Sequence, residues 1–321
     1  MSIWQLLLQV VLLVLGFVML IKGADWFVDG AASLAGKFGI PQLVIGLTIV
    51  AMGTSAPEAA VSISAALQDN AGITIGNVVG SNIMNILLIL GLTAVIIPLM
   101  VNKNTFRIEM PFVIVISAVM FGLGWFDGSL SRLDGAILLV LFAAFLVYLF
   151  VSAKKGAASS EEIESNPNDK VWKMLLMIVI GGVLIVWGSN VTVDAATAIA
   201  KFFGWSDRLI GLTIVAFGTS LPELITSVTA GMKGKADIAV GNIVGSNIFN
   251  ILFVVGLTAV ITPVPYAASF MVDSIVCIAT AALLFVAVLF TKGKKVNRFG
   301  GATMLVAFAV YFVYLLMNAN A

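Results

Sequence analysis

Two short stretches, "GTSAPE" at residues 53–58 and "GTSLPE" at residues 218–223, each set a proline and a glutamate inside long apolar sequence. Proline has no N–H to give a helix, and its ring clashes with the carbonyl four residues back. That carbonyl belongs to Gly53 in one copy and Gly218 in the other. Each stretch therefore predicts a broken helix, with carbonyls around Ala51 to Gly53, and in the matching turn of the second copy, released from helical pairing. In lipid such groups must find protein, water or an ion. Thr54, Ser55, Thr219 and Ser220 add hydroxyl oxygens, and Glu58 and Glu223 add carboxylates about one turn further on. Carbonyl, hydroxyl and carboxylate oxygens are hard ligands, suited to Na+ and Ca2+ and poorly suited to soft metals.

The next apolar run in each half carries "GSNIMN" and "GSNIFN". Ser81 and Asn85, and likewise Ser246 and Asn250, stand four apart and share a helix face, so their oxygens could complete a cage between the two broken helices. Two ionised glutamates packed together in low dielectric repel each other and would take up protons. One Ca2+ or two Na+ would neutralise them, and a site that holds either set but not both is the basis of obligate exchange. A lone intramembrane glutamate is functional more often than structural, and a duplicate with the same hydroxyl escort strengthens the functional reading. The pairs Gly76/Gly80 and Gly241/Gly245 read as close helix packing. Asp25, Asp29 and Asp194 lie toward the ends of their runs and read as solvated or structural, and Cys277 reads as a small core residue.

What must position these groups is a set of membrane helices. Of 321 residues, 61% are hydrophobic and 10% charged, against about 25% charged in an ordinary soluble domain. The apolar runs are continuous and of bilayer-spanning length, without the two-residue alternation of a membrane barrel. The reading is an all-α polytopic membrane protein of ten transmembrane helices, over residues 3–36, 41–68, 72–98, 108–125, 133–152, 171–200, 208–231, 236–262, 267–291 and 299–317. The N-terminal run lacks the basic region of a secretory signal and reads as a first span. The polar stretch 153–170 reads as a flexible linker, too short to hold a soluble domain.

Shifting the sequence by 165 residues aligns residues 25–98 with the second half, and "GLTIVAMGTSAPE" matches "GLTIVAFGTSLPE" at eleven of thirteen positions. Two five-helix repeats follow, residues 1–152 and 171–321, and an odd number of spans inverts the second against the first. Inverted repeats with interrupted helices at matching positions mark secondary transporters and point to the binding site. Thirteen Lys and Arg residues, from Lys37 to Arg298, fall on one side of this layout, against Arg132, Lys201 and Arg208 on the other. Positive charge stays inside, so both termini are expected outside and the linker in the cytoplasm. No basic patch interleaved with aromatics suggests nucleic acid, and no obligate protein partner is evident. A chain without histidine lacks the usual base of a serine protease and the HExxH site of a metalloprotease, so an enzyme is disfavoured, and no cofactor is implied. A channel would more usually repeat in parallel around a pore.

The paired motifs closely resemble the two α-repeats of the cation/calcium exchanger superfamily, especially prokaryotic sodium/calcium exchangers. The resemblance spans essentially the whole chain. It implies an antiporter in a prokaryotic cell membrane that exchanges Na+ for Ca2+. Glu58 and Glu223 would be shared ligands, Thr54, Ser55, Thr219, Ser220, Ser81 and Ser246 would give hydroxyls, and Ala51 and Ala216 would give carbonyls. It also implies that the first and sixth spans slide across the core. Well-known members carry an aspartate at one of the positions matching Asn85 and Asn250. Here both are Asn, so Ca2+/H+ or K+-dependent exchange through the same glutamates is the alternative.

Overall fold

In a bilayer the backbone of a long apolar run must satisfy itself, and a helix does so within one segment. The computed structural model describes residues 3–68, 71, 73–156, 170–204, 216–267 and 270–318, and almost all of them are helical. In chain order the helices are α1 (Ile3–Phe38), α2 (Gln42–Thr54), α3 (Ala56–Leu67), α4 (Thr74–Ile96), α5 (Thr105–Asp127), α6 (Arg132–Lys154), α7 (Val171–Phe202), α8 (Ala216–Thr219), α9 (Leu221–Met232), α10 (Ala236–Ile261), α11 (Phe270–Leu289) and α12 (Arg298–Met317). Among the described residues, eight of these are long and apolar enough to cross a membrane. The pair α2 and α3, bent by 50° at Ser55, makes a ninth. The expected seventh span begins at 208, and residues 208–215 lie outside the described residues, so its visible part is α8 and α9. The expected linker likewise falls, over 157–169, outside them.

The all-α expectation needs one addition. Among the described residues, four two-residue strands form two antiparallel pairs. β1 (Leu99–Met100) pairs with β4 (Lys295–Val296), and β2 (Ser129–Leu130) pairs with β3 (Val264–Pro265). Each pair ties a turn of the first half to one of the second.

Burial separates a core from a shell. The most apolar window of α10 is 83% buried and that of α4 67%, against 17% for α1 and 28% for α7. Glycines let the backbones close up where the helices meet. A Cβ on Gly23 would stand 2.8 Å from the Gly181 carbonyl, and one on Gly188 would stand 2.9 Å from the Gly16 carbonyl. The α1–α7 pair therefore packs backbone against backbone. A Cβ on Gly135 of α6 would stand 2.6 Å from the Gly256 carbonyl of α10, and one on Gly301 of α12 would stand 2.6 Å from the Gly91 carbonyl of α4.

Candidate functional site

Both motifs break just before the proline, and in the same way. The chain leaves the helix at Ser55 (φ −85°, ψ 8°) and at Ser220 (φ −91°, ψ 3°), then restarts with Pro57 or Pro222 in the first turn. Proline at the start of a helix lacks only an N–H that would be unpaired there anyway. The break falls two residues later than Gly53. Consequently the Ala51 carbonyl is not released. It accepts from the Ser55 N–H at 3.0 Å and lies 3.3 Å from the Thr54 hydroxyl. Its remaining lone-pair direction is met by the Ser246 hydroxyl at 3.5 Å.

The two motifs meet. Ser55 Oγ donates to Glu223 Oε1 at 2.7 Å, joining residues 168 apart in sequence. Thr54 Oγ1 donates to Asn242 Oδ1 at 3.0 Å. Asn242 turns its amide nitrogen to Ser227 Oγ at 2.9 Å and the Glu223 carbonyl at 3.5 Å. Its mate Asn77 does the same with Ser62 Oγ at 2.9 Å and the Glu58 carbonyl at 3.1 Å.

Below the breaks α4 and α10 cross, and the amides pair reciprocally. Asn82 Nδ2 donates to the Asn247 carbonyl and Asn247 Nδ2 to the Asn82 carbonyl, both at 3.2 Å. Asn85 Nδ2 reaches Asn247 Oδ1 at 3.0 Å, and Asn250 Nδ2 reaches Asn82 Oδ1 at 3.2 Å. Asn85 and Asn250 each open a π-helical turn, Asn85–Leu90 and Asn250–Val255, a local widening that often accompanies function.

These pairings leave a set of acceptors over. Glu58 and Glu223 are each 1% exposed. Eleven buried side-chain polar atoms among the described residues have no hydrogen-bond partner, and six belong to residues singled out from sequence: both carboxylate oxygens of Glu58, Glu223 Oε2, Ser220 Oγ, Asn85 Oδ1 and Asn250 Oδ1. Buried polar atoms are normally satisfied, so this concentration of oxygens and negative charge is suited to a hard cation. Thr54, Ser55 and Ser246 are buried and bonded to Asn242, Glu223 and the Ala51 carbonyl in turn, Ser81 is buried, and Thr219 is half-buried. Ala216 opens α8 at the edge of the described residues, so the counterpart of the Ser246–Ala51 contact, at Ser81 and Ala216, is not described.

Sequence reasoning passed over Asn77 and Asn242, although each follows a glycine in both copies of the repeat. It also passed over Ser189 of α7, which donates to the Gly218 carbonyl at 2.7 Å. Ser189 maps to Ala24, so a search for duplicated residues filters it out.

The fold and site define a polytopic helical membrane protein with a buried cluster of acceptor oxygens where two broken helices meet. The family model for sodium/calcium exchanger proteins matches residues 8–151 and 173–317. The chain is 41% identical over 321 residues to a putative antiporter, CaxA, of Alkalimonas amylolytica, across 98% of this chain and 100% of that one. It is 33% identical over 347 residues to the sodium/calcium exchanger MaX1 of Methanosarcina acetivorans, across 95% and 97%. A solved structure of the sodium-calcium exchanger NCX_Mj matches with a TM-score of 0.82 at 33% identity, across 98% of this chain and 99% of that one. The chain belongs to the sodium/calcium exchanger family and is an integral membrane protein.

Proposed function

We propose that the protein is a secondary antiporter that exchanges Na+ for Ca2+ by alternating access. The observation that carries this reading is the Ser55–Glu223 hydrogen bond, which brings the carboxylate of one motif to the break of the other. Glu58 and Glu223 are the shared ligands. Hydroxyls of Thr54, Ser55, Thr219, Ser220, Ser81 and Ser246, amide oxygens of Asn85 and Asn250, and carbonyls of Ala51 and Ala216 complete the set. Two negative charges balance one Ca2+ or two Na+, so binding of one ion type excludes the other. The layout proposed is ten spans in two inverted five-helix repeats, residues 1–152 and 171–321. The 153–170 linker is cytoplasmic, both termini are outside, and the setting is a prokaryotic inner membrane. Reciprocal contacts at the 165-residue offset, such as Asn82 with Asn247, support the repeat division.

The coupling ion is the finer point. Radiocalcium uptake into proteoliposomes, with Na+, K+ and pH gradients imposed separately, tests it. An outward Na+ gradient at fixed pH is expected to drive uptake. Uptake driven only by a pH gradient would replace Na+ by H+, the alternative that asparagine at both 85 and 250 leaves open.

Asn250 offers a second test. Its amide nitrogen is committed to Asn82. Asn250→Asp loses that donor and adds a third carboxylate, which needs a further monovalent cation. The Na+ Hill coefficient is expected to rise while Ca2+ half-saturation changes little. An unchanged Na+ Hill coefficient would count against this account of the site.

A further inference from the structure

We infer that Asp25, Asp29, Lys233 and Lys235 form an electrostatic latch that holds α1 against the core at one end of the molecule and so favours one of the two access states. The inference rests on the exchanger reading above. Lys233 Nζ lies 3.1 Å from Asp25 Oδ1 and 2.8 Å from Asp29 Oδ2, and Lys235 Nζ lies 2.8 Å from Asp29 Oδ1. Lys233 also donates to the Asp25 carbonyl at 3.2 Å. Each oxygen of Asp29 is thus held by a different lysine, while Asp25 is shared between Lys233 and the more distant Lys22 of its own helix, 4.0 Å away.

The turn between α9 and α10 presents the lysines. Gly234 between them has φ 73°, which side-chain-bearing residues rarely adopt. Bonds from Gly234 N to Gly231 O and from Lys235 N to Ala230 O, both 2.9 Å, close the turn. Burial, the largest single influence on the Lys233 ammonium, pulls its pKa down. The hydrogen bonds and charges of Asp29 and Asp25 together outweigh it and hold the pKa above the ordinary lysine value.

Two features make this cluster a latch. The first is what it joins. Asp25 and Asp29 flank Phe27, whose ring tip lies 2.8 Å from where a Gly53 Cβ would stand, and on α7 Val193 covers Gly218 in the same way. The α1–α7 pair therefore caps both breaks, and opening the site to one side requires it to shift. The second is one-sidedness. At the 165-residue offset the four positions map to Asn190, Asp194, Gln68 and Asn70, with no lysine at either mate position. Gln68, just past the end of α3, donates instead to Ser64 Oγ of that helix at 3.0 Å. A contact made on both sides of a twofold would favour neither access state, whereas a contact made on one side shifts the population toward the state that keeps it. Exposed pairs contribute little singly and more as a network, so a shift in the population ratio of roughly three- to tenfold is expected.

The test uses the full chain in lipid nanodiscs. Spin labels go on Phe38→Cys and Asn104→Cys, both exposed, in a Cys277→Ala background. Distance distributions are read by double electron–electron resonance without ions and with saturating Na+ or Ca2+. Lys233→Gln with Lys235→Asn, which installs the mate residues, is expected to raise the displaced-α1 fraction roughly three- to tenfold. Added choline chloride is expected to move the wild type the same way. Reversing every charge of the cluster (Lys22→Asp, Asp25→Lys, Asp29→Lys, Lys233→Asp, Lys235→Asp) is expected to restore the original distribution. An unchanged distribution in the lysine variant overturns the latch. So does a shift that charge reversal leaves in place, since that assigns it to packing. A wild type that ignores both ions and carries no ion-driven flux counts against the exchanger reading, while the lysine and charge-reversal variants decide the latch.

Discussion

Glu58→Gln and Glu223→Gln are each expected to abolish Na+-driven Ca2+ flux in proteoliposomes while leaving the protein folded. Both side chains are 1% exposed, and among the described residues no lysine or arginine lies within salt-bridge distance of either. Their negative charge is free to act on an ion. Removing one partner of a buried, desolvated charge pair costs about 2–5 kcal/mol, which is roughly thirty- to several-thousandfold in ion affinity. Glutamine keeps the shape and one acceptor oxygen but removes the charge. The empty protein should not suffer, because an uncompensated buried charge is itself unfavourable.

The two variants are expected to differ in the apo state. Glu223 receives a hydroxyl hydrogen bond from Ser55 at 2.7 Å, and glutamine keeps that acceptor. The Thr219 hydroxyl stands near Glu58 but makes no bond of comparable geometry to either oxygen, so Glu58→Gln should raise the apo thermal midpoint more than Glu223→Gln. Ca2+ at about a hundred times its Kd stabilises a binding protein by about 2.7 kcal/mol, and both variants should lose that shift. Ca2+ flux retained in either variant would sink the shared-ligand account.

Why some of this was legible in sequence, and some not, follows from the kind of contact involved. The broken helices were legible because proline acts on its own backbone within four residues. The position of the break was not. Ser55 rather than Gly53 leaves the helix because Ala51 keeps its bond to the Ser55 N–H, a balance decided by packing. The candidate ligands were legible through duplication, since Glu58, Ser81 and Asn85 each have a mate. The amide scaffold was not, because Asn82 with Asn247 and Thr54 with Asn242 meet only once α4 and α10 are in place. The orientation of Asn85 and Asn250, nitrogen committed and oxygen left over, belongs to that crossing too. Asp25 and Asp29 carry no local signal of their role, since their lysines lie more than 200 residues away, as the separation of 204 between Asp29 and Lys233 shows. Ser189 breaks the repeat, and so the repeat could not reveal it.

Gly245→Val is expected to lose fold and transport together. A Cβ on Gly245 would stand 2.8 Å from the Leu47 Cα, the Leu47 carbonyl and the Ala51 Cβ. Two of these three neighbours are backbone, which cannot turn aside as a flexible side chain can. One turn earlier, a Cβ on Gly241 would stand 3.1 Å from the Gly46 Cα and the Leu43 carbonyl. The α10 backbone therefore lies directly on α2, along the stretch that leads into the first break. Overpacking a rigid contact typically costs about 1–3 kcal/mol, and more where backbone must move. A loss of about 3 kcal/mol is expected, read as a lowered thermal midpoint and a smaller folded yield. The damage should reach the site, because moving α10 off α2 separates Ser246 from the Ala51 carbonyl and Asn242 from Thr54, now 3.5 and 3.0 Å apart. Gly245→Ala should show the same two losses in milder form. The contrast with Glu58→Gln then divides chemistry from architecture: the carboxylate variant falls in flux with stability kept, and the glycine variants fall along both axes at once. A Gly245→Val protein with native midpoint and native flux would mean that the α2–α10 apposition does not set the geometry of the site, and the Thr54–Asn242 and Ser246–Ala51 contacts would lose their standing as its supports.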